Sequence, residues 1–184
     1  MSKLLLILLA VLVLSGCGYH VVGDRDFLQG ANGVNVILFV NRSYRSGVEG
    51  VLGRQIVDEF AQRSGGKVLP GDKADLELVG VILSYATIPV SYTANDVIRE
   101  YQASLKVEAT LRQRTSQKVL WKGEVTETQV YPANIPPQNA TTTATPVQQN
   151  AGTIPLQQNA ESAAVERICR RIAEDIWTKA GERF

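Results

Sequence analysis

From Tyr101 to Arg112 the chain alternates without a break, and that run decides which folds it can enter. Tyr101, Ala103, Leu105, Val107, Ala109 and Leu111 fall on one side, while Gln102, Ser104, Lys106, Glu108, Thr110 and Arg112 fall on the other. Successive side chains of a strand point to opposite faces, so the segment predicts a long strand with one buried and one wet face. Thr115-Ser116-Gln117 follows as a turn. Val119, Trp121, Gly123 and Val125 then alternate against Lys118, Lys122, Glu124 and Thr126, which predicts an antiparallel hairpin. The apolar side of such a pair has to be covered by a second layer.

The remaining segments supply that layer. Val34, Val36, Leu38 and Val40 interleave with Asn35, Ile37 and Phe39, a short strand apolar on both faces. Asn41 to Arg45 reads as a loop, and Ser46 with Glu49 fits a capping box. The helix it opens gathers Val48, Val51, Leu52, Ile56 and Phe60 on one side, and Gly65-Gly66 ends it. A strand is expected over 75–84, with Pro89 interrupting it or confining it to an edge. Residues 132–159 carry no charged side chain and are rich in Pro, Gln, Asn, Thr and Ala, which predicts a long low-complexity loop. A second helix is expected over 160–179, with Ala164, Ile168, Ile172, Ile176 and Trp177 inside. The fold class is therefore α+β: a four-stranded, mostly antiparallel or mixed sheet with two helices packed on one face, in the order β-α-β-β-β-α.

The start of the chain addresses it. Lys3 precedes an unbroken apolar run from Leu4 to Leu14, then Ser15-Gly16-Cys17, which predicts a secretion signal over residues 1–16. That run is too short to span a bilayer comfortably. Leu14-Ser15-Gly16-Cys17 resembles the lipobox of bacterial lipoproteins, which implies a covalent diacylglyceryl and N-acyl lipid on Cys17 and no other cofactor. Two or more acyl chains hold a protein on a membrane where one does not. Residues 17–32 then form the lipidated N-terminus and tether, and residues 33–184 a single α/β sandwich domain. Gly18, in place of an aspartate, favours export to the outer membrane.

Composition narrows the function. Losing the signal removes Lys3 and no acid, leaving 18 basic and 18 acidic side chains, which argues against a nucleic-acid binder relying on overall positive charge. After lipidation of Cys17 only Cys169 remains, and one thiol cannot staple a domain. The single histidine, His20, falls in the tether. No nucleophile elbow, phosphate-cradling glycine loop or paired-cysteine zinc spacing occurs, so no enzyme is expected and no metal site. Cys169 beside the second helix's apolar stripe reads as a packed, inert thiol.

Several short motifs, in order, carry a resemblance. Cys17-Gly18-Tyr19-His20, Asn41-Arg42-Ser43-Tyr44 after the first strand, Glu100-Tyr101-Gln102 opening the third, and Val119-Leu120-Trp121-Lys122-Gly123 together resemble the LptE (RlpB) family of lipopolysaccharide-assembly lipoproteins. The likeness covers residues 17–131 and 160–180. It implies an outer-membrane lipoprotein on the periplasmic side. Such a protein sits in the lumen of an LptD-like outer-membrane β-barrel in a one-to-one complex, plugs it, helps it assemble and binds lipopolysaccharide.

Lipopolysaccharide presents phosphates and acyl chains, so a contact needs Arg or Lys beside apolar surface. The family's basic residue before its Glu-Tyr pair matches Val97 here, and Arg99 is the candidate substitute. Lys106, Arg112 and Lys122 on the wet sheet face are further candidates. Tyr85, Ile88, Pro89 and Tyr92 are expected to form an exposed loop that touches a partner protein. The competing readings are a peptidoglycan-synthase activator, a secretion-pore subunit or a structural envelope lipoprotein, and the co-purifying partner discriminates among them.

Overall fold

The computed structural model describes Leu28, residues 30–133 and residues 153–182. Cys17, the signal segment and residues 134–152 of the expected loop lie outside the described residues. Within them the order is β1 (Val34–Val36), β2 (Val40–Asn41), α1 (Val48–Arg63), β3 (Leu76–Tyr92), β4 (Ile98–Gln113), β5 (Val119–Pro132) and α2 (Thr153–Gly181). The strands make one mixed sheet in the order β1-β3-β4-β5, with β2 also beside β3. Both helices pack on one face of it, so the α+β class and its layering hold.

The expected first strand is present as two pieces along one edge. Both run parallel to β3, with Val36 opposite Leu78 and Val40 opposite Val81. Four residues on the edge thus match three on β3, which turns Phe39 into the core while Leu38 and Val40 stay exposed. Phe39 fits because Gly80 lies beneath it; a Cβ there would overlap the ring. The parallel pairing requires a crossover, and α1 supplies it.

Helix α1 buries Val48, Leu52, Ile56 and Phe60. It ends as expected at Gly65 and Gly66, both at positive φ, with the Gly66 N–H donating to the Ala61 carbonyl at 2.8 Å in a Schellman closure. Its start differs from the expectation. Gly47, not Ser46, stands at the N-cap in the left-handed region and no side chain caps it.

Strands β4 and β5 match the alternation: Ala103, Leu105, Val107, Ala109 and Leu111 are buried opposite Trp121 and Val125. Gly123 lets the Trp121 ring lie along its own strand, since a Cβ there would come within 2.7 Å of Trp121 Cζ2. Helix α2 covers this pair with Ala164, Ile168, Ile172, Ile176 and Trp177. Phe60 meets Trp177 edge-to-face at 5.0 Å, tying the far ends of the helices together.

Two boundaries move. Helix α2 starts at Thr153, inside the stretch expected to be loop. Strand β3 does not stop near Ser84: it continues through Pro89, opposite Tyr101, to Tyr92. Pro89 is tolerated because β2 last pairs β3 at Ile82, so the upper half of β3 is an edge whose free side needs no donor.

Candidate functional site

The upper ends of β3, β4 and β5 extend past the edge strands and close in a five-residue loop, Thr93 to Val97. The Thr93 N–H donates to the Val97 carbonyl at 2.8 Å, and Thr93 Oγ1 accepts from the Val97 N–H at 3.1 Å. Asp96 takes positive φ to turn the chain. The expected partner-binding loop is thus a hairpin ribbon. Ile88, Val90, Tyr92, Val97 and Val130 are exposed on it, and Pro89 with them.

Tyr85 is a correction. The bulge between Ile82 and Ser84 shifts the register and turns Tyr85 inward, where it is buried and cannot meet a partner. Its hydroxyl donates to Glu161 Oε1 at 2.7 Å, and Arg45 pairs with the same carboxylate while its guanidinium lies 5.1 Å from the Tyr85 ring. Tyr44 packs edge-on against Tyr85 at 5.8 Å. Burial pushes the Tyr85 phenol well above its ordinary pKa, so it stays a donor. This cluster fastens the start of α2 to β3 and to the loop before α1. Nearby, Tyr101 stacks on Tyr131 at 5.7 Å.

The Asn41-Arg42-Ser43-Tyr44 stretch is held by its first residue. Asn41 Nδ2 donates to the Arg45 carbonyl at 2.7 Å and to Glu49 Oε2 at 2.8 Å, while Oδ1 accepts from the Ser43 N–H at 2.9 Å and from the Ser43 hydroxyl at 2.7 Å. Glu49 therefore braces the loop instead of closing a capping box. Its own backbone N–H and the Asn41 amide hold its carboxyl below the usual 4.5.

The expected lipopolysaccharide contacts do not gather in one place. Lys106 pairs with Glu124 at 2.6 Å, Lys122 with Glu108 at 3.0 Å and Arg112 with Glu77 at 3.1 Å, all across strands on the wet face. Each cation already has an anion, so that face carries a ladder of alternating signs rather than a basic patch. Arg99 differs. It is exposed near the ribbon tip, and among the described residues no acid pairs with it. Of the four candidate cations, Arg99 alone lies on the ribbon that carries exposed Val97 and Tyr92.

A shallow apolar groove of about 310 Å³ lies between β1 and α1, lined by Val36, Leu38, Gly50, Gly53 and Val57 with Arg54 and Asp58. Linear spacing gave no signal for it, because it forms only where the edge strand breaks. Among the described residues no cluster of His, Cys, Asp or Glu side chains could hold a metal ion, and no helix is long and apolar enough to cross a membrane. Cys169 is fully buried, and burial pushes its thiol up to about 12.

Comparison places the chain. No curated protein matches it. Among solved structures, a lipoprotein from Caulobacter crescentus CB15 superposes with a TM-score of 0.46 and 13% identity, covering 86% of this chain and 92% of that one. Rare lipoprotein B from Shewanella oneidensis gives 0.46 and 13%, over 78% and 93%. PelC from Paraburkholderia phytofirmans, solved as a dodecamer, gives 0.45 and 13%, over 77% and 87%. The family model described as lipopolysaccharide-assembly, LptE, matches residues 31–180. The chain belongs to the LptE family of lipopolysaccharide-assembly lipoproteins, as a lipid-anchored, periplasm-facing outer-membrane protein that is not an enzyme.

Proposed function

We propose that this protein acts at the last stage of lipopolysaccharide export. The lipid on Cys17 holds it at the outer membrane, where it sits in the lumen of an LptD-like β-barrel, one copy to each barrel. There it plugs the barrel, helps it assemble and binds lipopolysaccharide.

The observation that carries this reading is the ribbon tip. Ile88, Pro89, Tyr92 and Val97 are exposed along the ribbon whose tip region carries Arg99, and among the described residues no acid pairs with that guanidinium. Aromatic and aliphatic surface of this kind is what protein interfaces bury at their centres, and a free guanidinium beside it suits a phosphorylated amphiphile. Lys106, Arg112 and Lys122 are secondary contacts at most, since each would have to leave an acid to meet a phosphate.

Gentle detergent extraction with a tagged mature chain tests it. The expected result is co-purification of an outer-membrane barrel, lost in Ile88→Asp/Tyr92→Asp. Arg99→Glu should weaken lipopolysaccharide binding without loss of fold. Recovery of a peptidoglycan synthase and no barrel, or undiminished lipopolysaccharide binding in Arg99→Glu, refutes the corresponding half.

A further inference from the structure

The groove between β1 and α1 opens at the edge of the sandwich. Val36 and Leu38 line it from the strand, Gly50, Gly53 and Val57 from the helix. Leu38 is 61% exposed and Val57 36%, so apolar surface stands in water on both walls. The two glycines keep it open: a Cβ on Gly50 would meet nothing within 4 Å, and one on Gly53 would press on Leu38 Cδ1 at 3.3 Å. Arg54 and Asp58 are exposed on the rim, one turn apart, and neither forms an ion pair among the described residues.

The chain carries a segment that suits this groove. It joins the core at Leu28, which is fully buried and whose carbonyl accepts from the Ala31 N–H at 2.8 Å, before β1 begins at Val34. Between Cys17 and Phe27 the tether has one apolar cluster, Tyr19 with Val21 and Val22, followed by Gly23 and then Asp24-Arg25-Asp26. We infer that, in the lipoprotein before it enters a barrel, Val21 and Val22 lie in the groove with the tether running antiparallel to β1. Reach allows it. Val22 and Val21 are six and seven residues from Leu28, a span of up to about 20–25 Å. Leu38 lies five residues beyond Gly33, about 17 Å along the strand. The charges agree in order. Upward from the foot of β1 the tether presents Arg25 and then Asp24, while the rim of α1 presents Asp58 and then Arg54, so opposite signs meet twice. Linked through so few residues, the segment stands at a millimolar effective concentration at the groove, and limited burial is enough to hold it.

Docking sets how far the body stands from the membrane, given the lipid on Cys17. Four residues separate the anchor from Val21 in the docked form, about 13–14 Å at full stretch. Eleven separate it from Leu28 in the released form, about 36–40 Å. The short form holds the body against the bilayer. The long form lets it leave the surface for a barrel lumen, so entry withdraws Val21 and Val22 from the groove. Occupant and groove belong to one chain, which keeps one copy to each barrel.

The test uses the full mature lipoprotein in detergent, without barrel or lipopolysaccharide, so its outcome is separate from that of the export reading. Val22→Cys is combined with Gly50→Cys in the groove and, in a second protein, with Thr178→Cys, an exposed position on α2. The lipid consumes the Cys17 thiol and Cys169 is buried, so only the introduced thiols react. Under diamide the Gly50 pair is expected to close an intrachain disulfide about tenfold faster than the Thr178 pair, as mass spectrometry of unreduced peptides would record. Val21→Asp, a change in the tether rather than the core, should bring the rate of the Gly50 pair down to that of the Thr178 pair. Equal rates for the two pairs, or a Val21→Asp protein that closes as fast as its parent, overturn the inference. So do disulfides that form only between chains, which would put a second copy in the groove.

Discussion

Replacing Gly80 with alanine tests how the edge strand is fastened to the sheet. Gly80 lies in mid-β3 opposite Ala109, and an added Cβ would overlap Phe39 Cε2 and lie 2.6 Å from the Glu108 carbonyl oxygen. The carbonyl belongs to the central strand β4 and cannot retreat, so the ring has to move. Phe39 is almost wholly buried. Overpacking of this kind costs about 1–3 kcal/mol. Alanine recovers about 0.5–1 kcal/mol of the backbone entropy that glycine loses in a strand. The difference is a net loss of about 0–2.5 kcal/mol, centred near 1 kcal/mol, or a fall in Tm of about 2–4 °C at that centre for a domain of this size. Urea unfolding of the mature protein measures it. Phe39→Leu, which shortens the ring, should cost less in the Gly80→Ala background than in the wild type, because the two sites touch. A Gly80→Ala protein as stable as the wild type, or costs that simply add, refutes the close approach.

Two further outcomes follow from the titrating groups. The Glu49 carboxyl is held below 4.5, so its contribution is complete above that value and is lost as the pH falls through its lower folded pKa. Acid unfolding followed by circular dichroism should show a shallower loss of stability below about pH 4.5 in Glu49→Gln than in the wild type. Cys169, with its thiol pushed up to about 12 and no exposure, should resist alkylation at about pH 8 in the native protein and react at once in urea, as mass spectrometry of the labelled chain would record.

The fold was legible wherever periodicity is strict. Six alternating residues on each side of β4 fixed its inner face, and the glycine pair at 65 and 66 ended α1 where a Schellman closure needs it. Readings failed where a neighbour, not the local chain, decides. Pro89 leaves a break and an edge both open, and the edge is what stands, because the edge strands stop at Asn41 and leave that side of β3 unpaired; the expected end near Ser84 is what fails. Ser46 and Glu49 have the spacing of a capping box, but the N-cap falls one residue later, at Gly47, and the Glu49 carboxylate accepts from the Asn41 amide instead. Tyr85 reads as an exposed aromatic because a bulge at Leu83, invisible in the pattern, reverses its face. The charges of the wet face were placed correctly, yet their acid partners lie on neighbouring strands and become visible only through the register.

The two helices run the same way. Arg45, just before α1, reaches Glu161, about two turns into α2, while Phe60 and Trp177 meet near the carboxyl-terminal ends of both. Their amino-terminal ends therefore share one pole of the body, the pole from which the ribbon projects. Each helix end carries roughly half a positive charge from its aligned peptide groups. A body with almost no net charge thus gains a positive local potential at its ribbon end, confined to about the first turn of each helix and screened by salt.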